Sequence, residues 1–297
     1  MNARTWLLFG GASVLWGVPY LFIEMSLREG IGPITTAAGR VVLAAAALLP
    51  AALSSNARQL IRLRFGRLAV LAVVEVVIPF SMISLGGLTV SSGLSGIIIA
   101  TEPIFVLLII MVLSRRAPTS AAALLGVAVG FGGVVVLLGV DGAGPGAVLV
   151  LVASASYALG AVLVGRWFSD VPPLRVVSSM ILLAAPILIA IAISVEPLPA
   201  PTWTGLGAVA ALGLACTAGG FWTFFTLIAH ADATRAALIT YVAPIVAVAA
   251  GALLLDERIG VRTVFGIALI FVGAALATRR TEQAASTGVV VEPEPDR

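Results

Sequence analysis

Residues 91–113 read SSGLSGIIIATEPIFVLLIIMVL, a run with one charge, Glu102, and one proline, Pro103. A hydrocarbon core about 30 Å thick is crossed by about 20 mostly apolar helical residues, so this run predicts a membrane-spanning helix. Working outward, nine more such runs, broken by Arg, Pro and Gly, lie near 6–26, 33–53, 68–86, 121–139, 146–165, 175–194, 204–228, 234–255 and 262–278. Composition agrees: 60% of the 297 residues are hydrophobic and 10% charged, with mean hydropathy +1.15. Soluble domains carry about 45–50% apolar and about 25% charged residues. The expected fold is an all-α integral membrane protein of ten transmembrane helices. The first run is longer than a signal-peptide core and nine others follow it, so it reads as a span. Residues 281–297, with Pro293, Pro295 and four acids, predict a disordered tail.

All seventeen basic residues are Arg. Without Lys there is neither a P-loop nor a Schiff base. One histidine, His230, and one cysteine, Cys216, supply no multi-ligand metal or haem site and no disulfide, so no cofactor is expected. The Arg residues fall in short loops rather than on one surface, which argues against nucleic acid. With the N-terminus in the cytoplasm, the inner loops and helix ends hold Arg4, Arg58, Arg62, Arg64, Arg67, Arg115, Arg116, Arg166, Arg175, Arg235, Arg279 and Arg280. The outer ones hold only Arg28, Arg258 and Arg262. That positive-inside bias predicts a multi-pass protein of the cell membrane with both termini cytoplasmic and the 195–203 loop outside.

The two halves repeat. Pro33 matches Pro173, Gly126 matches Gly266 and Gly133 matches Gly273 at a spacing of 140; Trp16 matches Tyr157 and Pro103 matches Pro244 at 141. The expected units are 1–140 and 141–280, followed by the 281–297 tail. A repeat with an odd number of crossings inverts its second copy. Two inverted five-helix repeats are the architecture of many secondary transporters, in which one half rocks against the other.

Charges inside spans are costly and mark partners or water-filled cavities. Four stand out: Glu24, Arg40, Glu75 and Glu102. At about 1.5 Å per residue, Arg40 and Glu102 lie at depths that a guanidinium can bridge, which predicts an ion pair, either structural or against a solute. Glu24 is shallow enough to snorkel to water. Glu75 has no cation at its depth in its own repeat and reads either as a proton-coupling carboxyl or as a neutral helix contact. Pro103 and Pro244, at matching mid-depth positions, predict paired helix breaks beside a binding site, or ordinary kinks. Trp16, Tyr157 and Tyr241 sit away from the interfaces, where their polar atoms need a solute, a cavity water or a helix carbonyl. Gly126-x-x-x-Gly130 and Ser92-x-x-x-Gly96 read as close helix contacts.

At these residues the chain resembles the EamA-like family of the drug/metabolite transporter superfamily. Trp16-Gly17 followed by Pro19, Arg40 after Pro33, and Pro244 followed by Leu255-Asp256-Glu257-Arg258, Gly266 and Gly273 are similar to that family's motifs. The first repeat departs from them: the position matching Glu257 is Arg116, and one extra residue precedes Gly126. The resemblance implies a secondary transporter of small metabolites such as amino acids, often an exporter, and not an enzyme. Its partners would be a small-molecule solute and the lipid bilayer, with protons and a homodimer left open. The competing readings are a passive channel, which lacks a filter-like loop or charged ring, and a non-transporting membrane scaffold.

Overall fold

A computed structural model describes residues 3–114, 121–138, 144–197, 200, 202–230, 236 and 238–278. Arg115, Arg116, Arg235, Arg279, Arg280 and the 281–297 tail lie outside the described residues. Everything regular among the described residues is helical: α1 (Ala3–Gly17), α2 (Pro19–Arg28), α3 (Pro33–Ala52), α4 (Ser55–Leu71), α5 (Ile78–Gly86), α6 (Ser92–Ile99), α7 (Glu102–Ser114), α8 (Ala121–Leu138), α9 (Pro145–Trp167), α10 (Pro173–Val195), α11 (Trp203–Ala210), α12 (Gly220–His230), α13 (Ile239–Leu254) and α14 (Val261–Thr278). Two π-helical segments, Ala72–Val77 and Ala211–Gly219, join α4 to α5 and α11 to α12. Among the described residues seven helical stretches are long and apolar enough to cross a membrane, with three shorter apolar helices at Ala123–Leu137, Ile239–Leu254 and Val261–Leu276.

Local chemistry places the ends. Pro33, Pro145 and Pro173 open their helices, where a missing N–H costs no intrahelical bond. Gly30 ends α2 at φ 78°, with Gly30 N–H bonded to the Leu27 carbonyl and Ile31 N–H to that of Ser26. The third span departs from its expected start near residue 68. Its helix begins at Ser55 because the Ser54 hydroxyl accepts from Ala57 N–H, and it bends at Arg64 (φ −125°, ψ 30°). The basic stretch 58–67 thus forms the first turns of the helix rather than a loop.

The largest buried cluster joins α3, α4, α5 and α10 through Val41, Leu48, Leu71, Phe80, Ile181 and Leu188. At the opposite side of the bundle α8 packs along α14. There the repeat-marking glycines meet. A Cβ at Gly273 would strike the backbone of Gly130 and Gly126, and one at Gly133 would lie 2.8 Å from Ile270 N and 3.0 Å from Gly266 O. Small residues let these backbones touch. Gly96 plays the same part against Ala247 and the Tyr20 ring.

Candidate functional site

Arg40, on α3, is only 8% exposed. Its Nε donates to Thr217 Oγ1 at 2.7 Å, and its guanidinium lies 3.7 Å from the centroid of the Phe80 ring. Phe80 meets Tyr157 edge-on at 6.5 Å. Tyr157 lies within electrostatic reach of Arg40, Tyr20, Glu75 and Glu102, and Tyr20 within reach of Arg40 and Glu102. Glu75 is seated on α9, where a Cβ at Gly160 would overlap its carboxyl. Six side chains from both halves therefore converge: Tyr20, Arg40, Glu75, Phe80, Glu102 and Tyr157.

The expected Arg40–Glu102 ion pair is not made. Among the described residues the ion pairs are Glu24–Arg28 (2.9 Å) and Arg64–Asp170 (2.5 Å). Thr217 and Phe80 hold Arg40 instead, because a planar guanidinium can stack on a ring while its edge donates a hydrogen bond. Its Nη atoms and the carboxyls of Glu75 and Glu102 have no hydrogen-bond partner among the described residues. Ser179 Oγ is the one fully enclosed polar side-chain atom without a partner among those residues. The free atoms of Arg40, Glu75 and Glu102 therefore each keep accessible surface.

Irregular backbone surrounds this cluster. Pro79 has no N–H to offer the Glu75 carbonyl four residues back, and the helix responds with the π-helical segment that holds Glu75. The Ser156 hydroxyl supplies a donor there, to Val74 O at 2.6 Å. The second π-helical segment holds Thr217, whose hydroxyl donates to Leu212 O at 2.7 Å. The two segments occupy matching places, since Ala72 and Leu212 are 140 apart. Such bulges recur at functional sites, and no residue pattern announced this pair.

Pro103 and Pro244 do not give the paired breaks expected of them. The chain breaks between α6 and α7 at Ala100–Thr101, and Ser154 Oγ donates to the Ile99 carbonyl (3.3 Å) that Pro103 leaves without its donor. Pro244 instead lies inside the continuous helix α13. The other break falls at Val18, between Trp16-Gly17 and Pro19, where α1 gives way to α2. Trp16 packs on Phe221 and Phe224 with its Nε1 against Gly220, and Tyr241 packs on Phe271 at 5.7 Å. Neither is among the residues that surround Arg40. Glu24 is taken up by Arg28 on the next turn.

Two carboxylates cap helix N-termini. Glu196 accepts from Ile34 N–H and Thr35 N–H at 2.8 Å each, capping α3. Glu257 accepts from Ser92 N–H and Ser92 Oγ at 2.7 Å and from Gly93 N–H at 3.0 Å, capping α6. Asp256, at φ 55°, turns the chain so that Glu257 reaches back, a conformation aspartate tolerates better than most residues. Both acids cap helices of the other repeat. Elsewhere Arg64 grips Asp170 with both Nη atoms and also donates to Trp167 O. The Arg64 bond holds the Asp170 carboxyl below its usual range. The pair therefore persists at neutral pH and is lost only as pH falls through that lowered value.

A model of the EamA-like transporter family matches residues 4–139 and again 144–279. An uncharacterized transporter of Archaeoglobus fulgidus is 25% identical over 93% of this chain and 99% of its own. The uncharacterized transporter YvbV of Bacillus subtilis is 22% identical over 97% and 96%. The uncharacterized inner membrane transporter YedA of Escherichia coli K12 is 28% identical over 80% and 78%. One crystal structure shares the fold, with TM-score 0.65 at 21% identity over 96% of this chain and 99% of its own. With both halves matched in turn, this multi-pass, all-helical chain belongs to the EamA-like transporter family, whose members are membrane transporters and not enzymes.

Proposed function

We propose that the protein is a secondary carrier of ten spans in two inverted repeats, 1–140 and 141–280, with both termini cytoplasmic. It moves a small metabolite across the cell membrane by alternating access, and export is the direction that the family resemblance implies. The observation that carries this reading is the meeting, in an apolar bundle, of the two Arg40 Nη atoms with the carboxyls of Glu75 and Glu102, none of which has a hydrogen-bond partner among the described residues. Charged groups in a membrane persist where a solute, an ion or water completes them.

A guanidinium with two free Nη atoms is suited to a carboxylate. Two carboxyls within electrostatic reach of each other are suited to an ammonium group or a shared proton. An amino acid or a related zwitterion satisfies both ends. The aromatic rings of Tyr20, Phe80 and Tyr157 stand beside these charges. Glu75, seated beside Gly160 on a π-helical segment, is the proton-coupling carboxyl in this reading.

Counterflow in proteoliposomes tests the proposal. Vesicles preloaded with a mixture of unlabelled amino acids should accumulate one or more of the same compounds, radiolabelled, transiently and saturably. Flux that is non-saturable and shows no exchange would make the protein a channel. Absence of flux for every compound in the panel would remove the amino-acid class.

A further inference from the structure

Helix α9 has two exposed sides. Val148 (50% exposed) and Val152 point about 140–180° away from Tyr157 at about 100° per residue, toward the lipid. Ala161 and Gly165 are also exposed, yet they follow Tyr157 by four and eight residues, on the side that faces the central cluster. Helix α7 repeats the pattern. Val106, Ile110 and Leu113 follow Glu102 by four, eight and eleven residues, within about 80° of it, and Ile110 is 42% exposed. These residues face one another across a cavity of about 380 Å³ that ends at Arg166. The space thus lies below Glu102 on the side of α7 that carries it, and along a flank of α9 that runs from Ala161 and Gly165 round to Val162 and Arg166, about 140–180° from Tyr157. Its width is set by small residues, and a Cβ on Gly165 would meet nothing within 4 Å.

We infer that the groove between α7 and α9 is the vestibule through which solutes pass between the Arg166 end of the bundle and the Arg40–Glu75–Glu102 cluster. Its walls select solutes with an apolar body. Apart from Arg166 at the rim, every lining residue is apolar, so a charged side chain, added to the solute's own carboxylate and ammonium, would pass walls that offer it no partner. An apolar side chain loses nothing there. This selection by the walls rests on the carrier reading above; the accessibility of the groove does not.

Two measurements test it together. Cysteines are placed singly at Ala161, Ile110 and Val148, with buried Cys216, 1% exposed, left as the unreactive reference. In inside-out vesicles a membrane-impermeant methanethiosulfonate should modify Ala161→Cys and Ile110→Cys. Val148→Cys should react only with a maleimide dissolved in the lipid. If 161 and 110 behave like 148, the groove is a lipid-filled surface and the inference fails. In the second arm, Gly165→Leu, which has room for its side chain, should melt with wild type yet slow leucine counterflow at least tenfold. Wild type should prefer leucine to lysine. Unchanged leucine counterflow in Gly165→Leu, or a preference for lysine, overturns the selective passage. Impermeant labelling of 161 and 110 in a protein that exchanges no amino acid upholds the vestibule and sinks the amino-acid carrier reading instead.

Discussion

Glu257 and Ser92 stand 165 positions apart in sequence and are joined by two hydrogen bonds of 2.7 Å, from the serine amide and from its hydroxyl. The carboxylate sits at the N-terminus of α6, where the first amides of a helix lack partners and the helix dipole favours negative charge. A Cβ at Gly251 would overlap this carboxylate, so a glycine on α13 keeps the seat free. Glu257→Ala should therefore lower stability in detergent by about 1.5–3 kcal/mol, the usual worth of a hydrogen bond to a charged group. Glu257→Gln, which keeps an acceptor oxygen, should lose less. Thermal unfolding of the three proteins at one pH checks it, and equal melting of Ala and wild type would show the cap to be inert.

Arg40 is held by the shape of its guanidinium rather than by its charge alone. Arg40→Lys keeps the charge but loses the stacking on Phe80 and the lateral bond to Thr217. The expected result is a loss of counterflow of tenfold or more in Arg40→Lys, close to that in Arg40→Ala. Thr217→Val should give a smaller loss. Lysine at full activity would show that charge suffices and that the stacked geometry is incidental.

The crossing of α8 on α14 depends on backbone contact at Gly273. Gly273→Leu should destabilise the protein by about 1–3 kcal/mol through overpacking. Gly132→Leu, on the same pair of helices but with nothing within 4 Å of its Cβ, should melt near wild type. Equal melting of the two variants would mean that the helices move apart freely.

Glu75→Gln mimics a carboxyl that never releases its proton. If Glu75 couples transport to protons, this variant should keep counterflow and lose accumulation driven by a pH gradient. Retention of both activities would reduce Glu75 to a structural contact with α9.

Topology can be checked at two exposed leucines. With the N-terminus inside, Leu88→Cys after α5 should be labelled by an impermeant reagent from outside, and Leu53→Cys after α3 only from inside. Labelling of both from one side would break the alternation of spans.

Much of the candidate cluster was legible because charge is expensive in hydrocarbon. Arg40, Glu75 and Glu102 stand out in any apolar run, and all three reach the cluster. Equal depth in the membrane is a poor proxy for proximity. Residues at equal depth can still face different helices, as Arg40 does when it turns to Thr217 rather than Glu102. Tyr20 and Phe80 were passed over because an aromatic in an apolar run looks like core. The break at Ala100–Thr101 was foretold by Pro103, whereas Pro244 has the same signature and stays within a helix.

The sequence by itself determined the solvent, the helical class and the internal repeat. These follow from the length and polarity of segments that must satisfy their own backbone in lipid, and from spacings that survive in the glycines and prolines. Only the tertiary structure decided which polar groups meet. The two π-helical segments, the Glu196 and Glu257 caps and the Arg40–Thr217 bond each join residues far apart in sequence or depend on a local change of winding. Such partners are chosen by the direction a side chain takes from its helix and by which helix stands opposite, and neither is written in the order of apolar residues along one span.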